Sequence, residues 1–554
     1  MLTEPGRTAA ALPRPSAPRA GWTEWLVSTD HKRIGLLITG TGLVEFLIYG
    51  LVALTMRAQL AQPGERMLSP QTYNQLFTLH GTGMITLAIT PFALGLGVYL
   101  VPLQVGAPTI AAPRVTLLGY WLYAAGSVTV ILSAVIPGGA ASGWWGYTPL
   151  SNSRYSPGPG MNLWVIGVFL CGVAFTMLSG TIAWTVLTKR APGMTLMRMP
   201  LFTWSELVTV FMGLPAFPSL LAAMSMIGLE RGFPGAFGSN TWNLLYQNFF
   251  WFYGHPIVYI MFFPFVGCVL EVLATFSGRR SFGYEGTVLS LLVFSVLSMA
   301  VWGHHLFASG QVINDYYSMT SILLTIPAGV EYFSMLGTLV HGRLRYPTPM
   351  LFALAFIPQF LVGGLTGIMV ATPAFDYNAN DSYFIVGHFH YTLFAGSVFG
   401  FFAGVYFWFP KATGIMFSEA LGRLHFVLMV IGTNVTFLPF FGLGLLGMTR
   451  RVVTYPANEG FGTLSLISSI GAGIIGLSMI AFAYNLYLSG RRRVPAPPDP
   501  WEAFTLEWAT SSPPPRYNFS AQYPVPRIHS YAPLLDLRLR RAQAGTVLAQ
   551  REAR

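Results

Sequence analysis

Six histidines of this 554-residue chain stand at spacings that could build metal centres: His80, His255, His304, His305, His388 and His390. His388 and His390 are two apart in "VGHFHYTL", so on a helix of 3.6 residues per turn they point about 200° apart. They cannot easily share one ion, but they can hold two ions on opposite sides of one helix. His304 and His305, adjacent in "VWGHHLF", lie about 100° apart on a helix and could reach one ion together if another helix supplied a third ligand. His255, in "FYGHPIVY", is the unused candidate. His80, in "FTLHGTGMI", could pair with His388 or His390, and Gly81 and Gly83 would let a flat macrocycle approach that helix. Neutral imidazole suits copper and iron. The arithmetic gives three histidines for a copper, two for a six-coordinate heme and one for a five-coordinate heme. An open iron facing a copper is a site for a small diatomic molecule.

The elements that must position these residues are membrane helices. The composition is 53% hydrophobic and 9% charged, against about 25% charged in soluble chains. Apolar runs of about 20 residues or more occur near 34–56, 77–100, 115–137, 162–187, 201–228, 245–276, 283–307, 318–340, 350–371, 384–409, 423–448 and 463–488. The strands of a transmembrane barrel alternate and run only about 10 residues, which excludes one. The expected fold is an all-α integral membrane protein with 12 transmembrane helices. A tail (1–33) precedes the membrane domain (34–488), and a polar, Pro-rich tail (489–554) follows it. Residues 1–21 read as disordered, and no cleavable signal precedes the first span.

The net charge of +11 follows topology and is not a nucleic-acid signal. Lys32, Arg33, Arg114, Lys189, Arg190, Arg198, Arg279, Arg280, Arg343, Arg345, Lys411, Arg423 and Arg491–Arg493 fall before the first span, in alternate loops and after the last span, all on one side, and the other loops hold fewer. The positive-inside rule puts both termini in the cytoplasm. Cys171 and Cys268, both within spans, read as small packing residues.

The ordered motifs "STDHKRIG", "FTLHGTGMI", "FWFYGHPIVY", "VWGHH", "GHFHYTL", "RR" at 450–451 and "DPWEAFTLEWATSSPPPRYNF" resemble subunit I of the heme–copper oxidase superfamily, closest to the A-type cytochrome oxidases. The resemblance spans roughly residues 26–520. It implies two hemes, of A or B type, and one copper ion. His80 and His390 would ligate a low-spin heme, His388 a high-spin heme, and His255, His304 and His305 the copper. Arg450 and Arg451 resemble the pair that binds heme propionates, Arg57 the arginine at the heme formyl group, and Asp381 an acid near the propionates and a magnesium. Asn380 replaces the usual magnesium-ligating His, which weakens the case for that ion. Tyr259 would be the redox tyrosine, joined to His255 in family members; the two share a helix face. The implied partners are subunit II and other oxidase subunits, cytochrome c or a copper-centre subunit as donor, O2 or NO, and membrane lipid. The implied place is the inner membrane of a bacterium.

The proton routes depart from the family. Ile257 stands where A-type members usually carry Glu, Thr109 where one path starts at Asp, and Glu331 where a second path uses Lys. The chain has three lysines, expected outside the spans. Glu331 and Glu206 become the candidate carriers, since desolvation favours the protonated form of a carboxyl; Glu45 and Glu271 are weaker. Two functions follow. One is a cytochrome c oxidase that reduces O2 to water; the other is a nitric oxide reductase, which needs fewer protons. A quinol-fed oxidase ranks lower, because Thr72 replaces the His that quinol-oxidising relatives carry.

Overall fold

Among the described residues, twelve helices are long and apolar enough to cross a membrane, matching the expected number. They are α1 (His31–Gln59), α2 (Pro70–Gln104), α3 (Pro113–Val135), α4 (Pro159–Thr188), α5 (Leu201–Gly232) and α6 (Trp242–Ser277). The second half comprises α7 (Tyr284–Ser309), α8 (Asn314–Leu339), α9 (Thr348–Val370), α10 (Tyr383–Thr413), α11 (Glu419–Leu445) and α12 (Gly462–Arg492). The computed structural model describes residues 21–235, 240–310 and 312–552, so the expectation for 1–20 lies outside the described residues.

Local chemistry sets the helix ends. The side chains of Asp30, Ser69 and Ser382 accept from backbone N–H groups two or three residues on, at 3.0–3.1 Å, each satisfying a donor the helix cannot. Pro70, Pro113 and Pro159 occupy the first turn, where a missing N–H costs nothing. Gly278 (φ 65°) and Gly414 (φ 73°) end α6 and α10 in the left-handed conformation that favours glycine.

Lipid tails are as apolar as leucine, so helix association depends on close fit. At the α3–α4 contact, a Cβ on Gly126 would lie 2.7 Å from the Gly167 carbonyl oxygen, and a larger residue would push the helices apart. A separate buried cluster of Tyr73, Tyr383, Tyr391, Phe437, Phe440 and Tyr455 packs where α2, α10 and α11 meet.

The helices depart from α geometry where the candidate ligands stand. A π-helical stretch runs Gly83–Ile89, three residues after His80, and another starts at His390. Such stretches recur at functional sites because the extra residue per turn re-aims side chains. The sixth span breaks at His255: one helix ends at Gly254, the next starts at Pro256, and proline supplies no N–H to continue the ladder. His304 and His305 lie in a 3-10 stretch, Trp302–Ser309, where adjacent residues turn about 120° rather than 100°.

The segment after Arg492 docks onto the basic end of the bundle. Buried Glu507 accepts from Gln104 Nε2 (3.1 Å) and Trp408 Nε1 (2.9 Å), and Asn518 Oδ1 lies 3.0 Å from both His31 Nε2 and Lys32 Nζ. Lys411 Nζ donates to the carbonyls of Thr510 (2.7 Å) and Pro498 (2.9 Å). Lys32 and Lys411, expected outside the spans, therefore sit in terminal turns of α1 and α10, where the tail satisfies their charge.

Candidate metal centres

Nitrogens of His255, His304 and His305 all lie within 4.8 Å of one another. His255 Nδ1 is 3.1 Å from His305 Nε2, the gap left by two nitrogens about 2 Å from one ion at a near-tetrahedral angle. His304 Nδ1 is 2.7 Å from Ser321 Oγ, which leaves Nε2 to bind. His305 stacks on Trp251 with ring centres 3.8 Å apart. The buried Nε2 of His255 has no hydrogen-bond partner, and the Tyr259 ring is 4.7 Å from the His255 ring. Three imidazoles converging on one point fit copper.

His80 and His390 face each other with ring centres 6.4 Å apart and planes 11° from parallel. Two imidazoles bound through one ion need about 6 Å, from bonds of ~2 Å and ~1 Å more to each ring centre. Their Nδ1 atoms are committed to the carbonyls of Tyr49 (3.1 Å) and Val386 (2.9 Å), leaving Nε2 free to bind. These residues fit an iron held from both sides. Phe437 stacks on His390 at 4.4 Å and fixes its ring.

His388 engages the Gly363 carbonyl (3.1 Å) and Thr366 Oγ1 (3.2 Å) through Nδ1. It stands within electrostatic reach of His255, His304 and His305. The two histidines of "GHFH" thus serve opposite sides of α10, as their spacing predicts.

The glycine reading needs correction. A Cβ on Gly83 would lie 2.1 Å from the Tyr49 ring, and one on Gly81 would lie 3.2 Å from Trp144. Their missing side chains admit those two aromatic rings, not a macrocycle face. A seventh histidine in a span, His425, was not singled out. Its Nδ1 is 3.1 Å from Tyr406 OH, and Phe352, Phe402 and Phe482 enclose it as a packing residue.

Above the histidines, Asp381 Oδ1 binds Arg450 (2.5 Å) and Arg451 (3.0 Å), and both guanidinium groups lie over Trp145. The backbone ties the same two segments: Arg450 N donates to Asp381 O (2.7 Å) and Tyr383 N to Met448 O (2.9 Å). Asp381 is 58% exposed, so these ion pairs contribute at most about 1 kcal/mol and serve mainly to orient the arginines. Partial desolvation pushes the Asp381 carboxyl up, but the two guanidinium groups outweigh it and hold the carboxyl below its ordinary value. Burial, with Arg450 alongside, brings Arg451 down to about 10, still charged at neutral pH. Arg57 is buried. It donates to Ser465 O (2.7 Å) and Ser469 Oγ (3.0 Å), and its Nε has no partner.

The two candidate carriers occupy different places. Glu331 Oε1 accepts from Ser290 Oγ at 3.2 Å between α7 and α8. Glu206 is fully buried with both oxygens unpartnered, against Gly97 and near Cys268. Cys268 is thirteen residues past His255, roughly 20 Å along the span, so Glu206 is not brought to the copper pocket. Glu45 accepts from Ser127, and Glu271 lies beside Glu507.

Sequence reading missed Ser321, Trp251, Thr366 and Asp376. Asp376 is buried in the short helix Pro373–Ala379 and accepts from Asn380 Nδ2 at 3.0 Å. Burial raises its carboxyl to about 6.

A twelve-helix membrane bundle with three clustered imidazoles, a fourth within electrostatic reach and a further parallel pair defines a heme–copper oxidase subunit I. The chain belongs to the family described as "Cytochrome C and Quinol oxidase polypeptide I", which matches residues 33–474. It is 44% identical to "Cytochrome c oxidase subunit 1" of Corynebacterium efficiens, covering 96% of this chain and 93% of that one. It is 43% identical to the protein of the same name from Corynebacterium diphtheriae, covering 94% and 93%. A solved "heme-copper terminal oxidase dimer" shares the fold at a TM-score of 0.66 and 17% identity, over 84% of each chain.

Proposed function

We propose that the chain is the catalytic subunit of a terminal respiratory oxidase of the cytochrome c oxidase type, reducing O2 to water. The carrying observation is the cluster of His255, His304 and His305, with His388 within electrostatic reach of it. Hemes and copper are implied by the family; when bound there, they supply the electrons and the open position for O2. In this reading His255, His304 and His305 hold copper, His388 the high-spin heme and His80 with His390 the low-spin heme. Arg450 and Arg451 take the propionates, and Asp381 orients them. The orphan Nε of Arg57 fits an acceptor such as a heme formyl oxygen, which favours an A-type heme.

Tyr259, with its ring 4.7 Å from that of His255, would supply a hydrogen to the chemistry in this pocket. The unpartnered Nε2 of His255 beside its ring supports a covalent link between the two. Glu331 carries protons toward this pocket, while Glu206 belongs to the basic end of the bundle. The names of the relatives support cytochrome c oxidase over a nitric oxide reductase or a quinol-fed enzyme. Electrons then come from cytochrome c through a copper-bearing subunit II, in a bacterial inner membrane with both termini cytoplasmic. Oxygen consumption by the purified complex with reduced cytochrome c tests the reading.

A further inference from the structure

The basic end of the bundle carries arginines that the fold leaves unpaired. Three segments meet there: the loop before α5, the tail around His529 and the C-terminal helix Pro533–Glu552. Arg540 Nη1 lies 3.0 Å from His529 Nε2, and Arg198 Nη1 donates to the carbonyls of Gly193 (2.9 Å) and Ile528 (3.4 Å). Arg198, Arg527 and Arg540 all lie within electrostatic reach of His529. Arg527 and Arg540 are exposed, and Arg198 is partly buried. Other arginines at this end pair with acids: Arg280 with Asp536, Arg345 with Glu502 and Arg538 with Asp499. Among the described residues, Arg198, Arg527 and Arg540 have no carboxylate within ion-pair distance. The acid within reach of His529, Asp536, is committed to Arg280 and Ser530. Like charges gathered without an acid repel one another and attract an anion.

The cluster stands level with the ends of membrane helices. Arg198 comes just before α5, which starts at Leu201. Trp204, in the first turn of α5, donates from Nε1 to the Leu196 carbonyl (3.1 Å) and to Tyr284 OH (3.2 Å). Tyr531 of the tail stacks on Tyr284, the first residue of α7, with ring centres 4.0 Å apart. Tryptophan and tyrosine gather at the level of the lipid headgroups, so the tail lies at that depth. Beside the arginines, Leu196 (38%), Met197 (46%) and Leu539 (50%) are exposed. Leu196 and Met197 directly precede Arg198, and Leu539 directly precedes Arg540. Exposed apolar side chains next to arginines suit the boundary between acyl chains and phosphates.

We propose that Arg198, Arg527 and Arg540 form a docking site for an anionic phospholipid. The guanidinium groups hold its phosphodiester, and Leu196, Met197 and Leu539 lie against its acyl chains. Guanidinium groups suit a phosphate because their N–H donors form paired, charge-assisted bonds. Arg198 and Arg540 are already oriented, by two carbonyls and by His529, so binding costs little side-chain freedom. The occupant is a lipid and not free phosphate, because a phosphate ion has no use for the apolar side chains. The lipid joins the loop before α5 to the tail and the C-terminal helix. That tail also carries Glu507 and Asn518, which clasp Gln104, Trp408, His31 and Lys32. The bound lipid therefore helps to keep the tail on the bundle. The site lies apart from the metal centres and does not depend on which gas they reduce.

The test uses the purified complex with its partner subunits, stripped of lipid in a neutral detergent and titrated with dioleoylphosphatidylglycerol. Native mass spectrometry counts the lipids bound at each concentration. Each arginine at a membrane surface contributes about fivefold to the binding of anionic lipid. The triple variant Arg198→Gln, Arg527→Gln, Arg540→Gln should therefore weaken one phosphatidylglycerol site on the order of 100-fold. Copper and heme content should stay at the parental level. Dioleoylphosphatidylcholine, which carries no net charge, should bind the parent site far more weakly, and inorganic phosphate should displace phosphatidylglycerol only in large excess. Equal retention of phosphatidylglycerol by parent and variant overturns the proposal, as does equal binding of the two lipids by the parent. Inorganic phosphate binding as tightly as the lipid overturns it too, by showing a plain anion site. Should the triple variant not assemble, Arg540→Gln alone takes its place: about a fivefold loss supports the site, and no change overturns it.

Discussion

Ser321 Oγ lies 2.7 Å from His304 Nδ1 and donates its own proton to the Tyr317 carbonyl at 2.5 Å. A serine hydroxyl has one proton, so toward His304 it can only accept. His304 therefore carries its proton on Nδ1 and presents the Nε2 lone pair to the pocket. Losing such an outer partner costs roughly 10–100-fold in metal affinity. Ser321→Ala should weaken copper retention by about that factor, measured by chelator competition, with heme absorbance unchanged.

His255→Ala removes one of three nitrogens from the trio but touches neither His80 nor His390. Metal analysis should find copper lost, while the low-spin heme spectrum stays that of the parent. Copper at the parental level would remove His255 from the ligand set.

Asp376 predicts a pH effect whose sign can be worked out. Burial raises its folded-state value to about 6, above the ordinary 3.8 of an aspartate. A raised carboxyl costs nothing while protonated in both states. The cost grows as pH climbs from about 4 and is complete above about 6, on the order of 1–3 kcal/mol. Asp376→Asn keeps an acceptor for Asn380 and removes the charge. It should raise the Tm of the complex at pH 8 and leave it unchanged near pH 4. An equal shift at both pH values would contradict a titration of Asp376.

The fold and the histidines that come together were legible because a membrane chain has so few polar residues. Six imidazoles in apolar runs stand out, and the two-residue gap between His388 and His390 fixes opposite sides of a helix. The supporting groups were not legible. Ser321, Thr366 and Ser290 are ordinary hydroxyls of membrane helices, and only the register between helices shows what they touch. The π-helical stretches after His80 and from His390 have no signature in the residues themselves. Asp376 was hidden in a short surface helix just before the "ND" that drew notice. Gly81 and Gly83 misled, because a glycine announces a close approach without saying of what. His425 shows the converse: a buried histidine in a span can be held by one tyrosine hydroxyl and a set of phenylalanine rings.

The central claim is that the cluster of His255, His304 and His305, with His388 within electrostatic reach, reduces O2. The direct measurement is turnover of the purified complex with O2 and with NO, side by side, using reduced cytochrome c as donor. The expected result is rapid O2 consumption to water, with NO turned over far more slowly. Steady reduction of NO to N2O with negligible O2 consumption would contradict it.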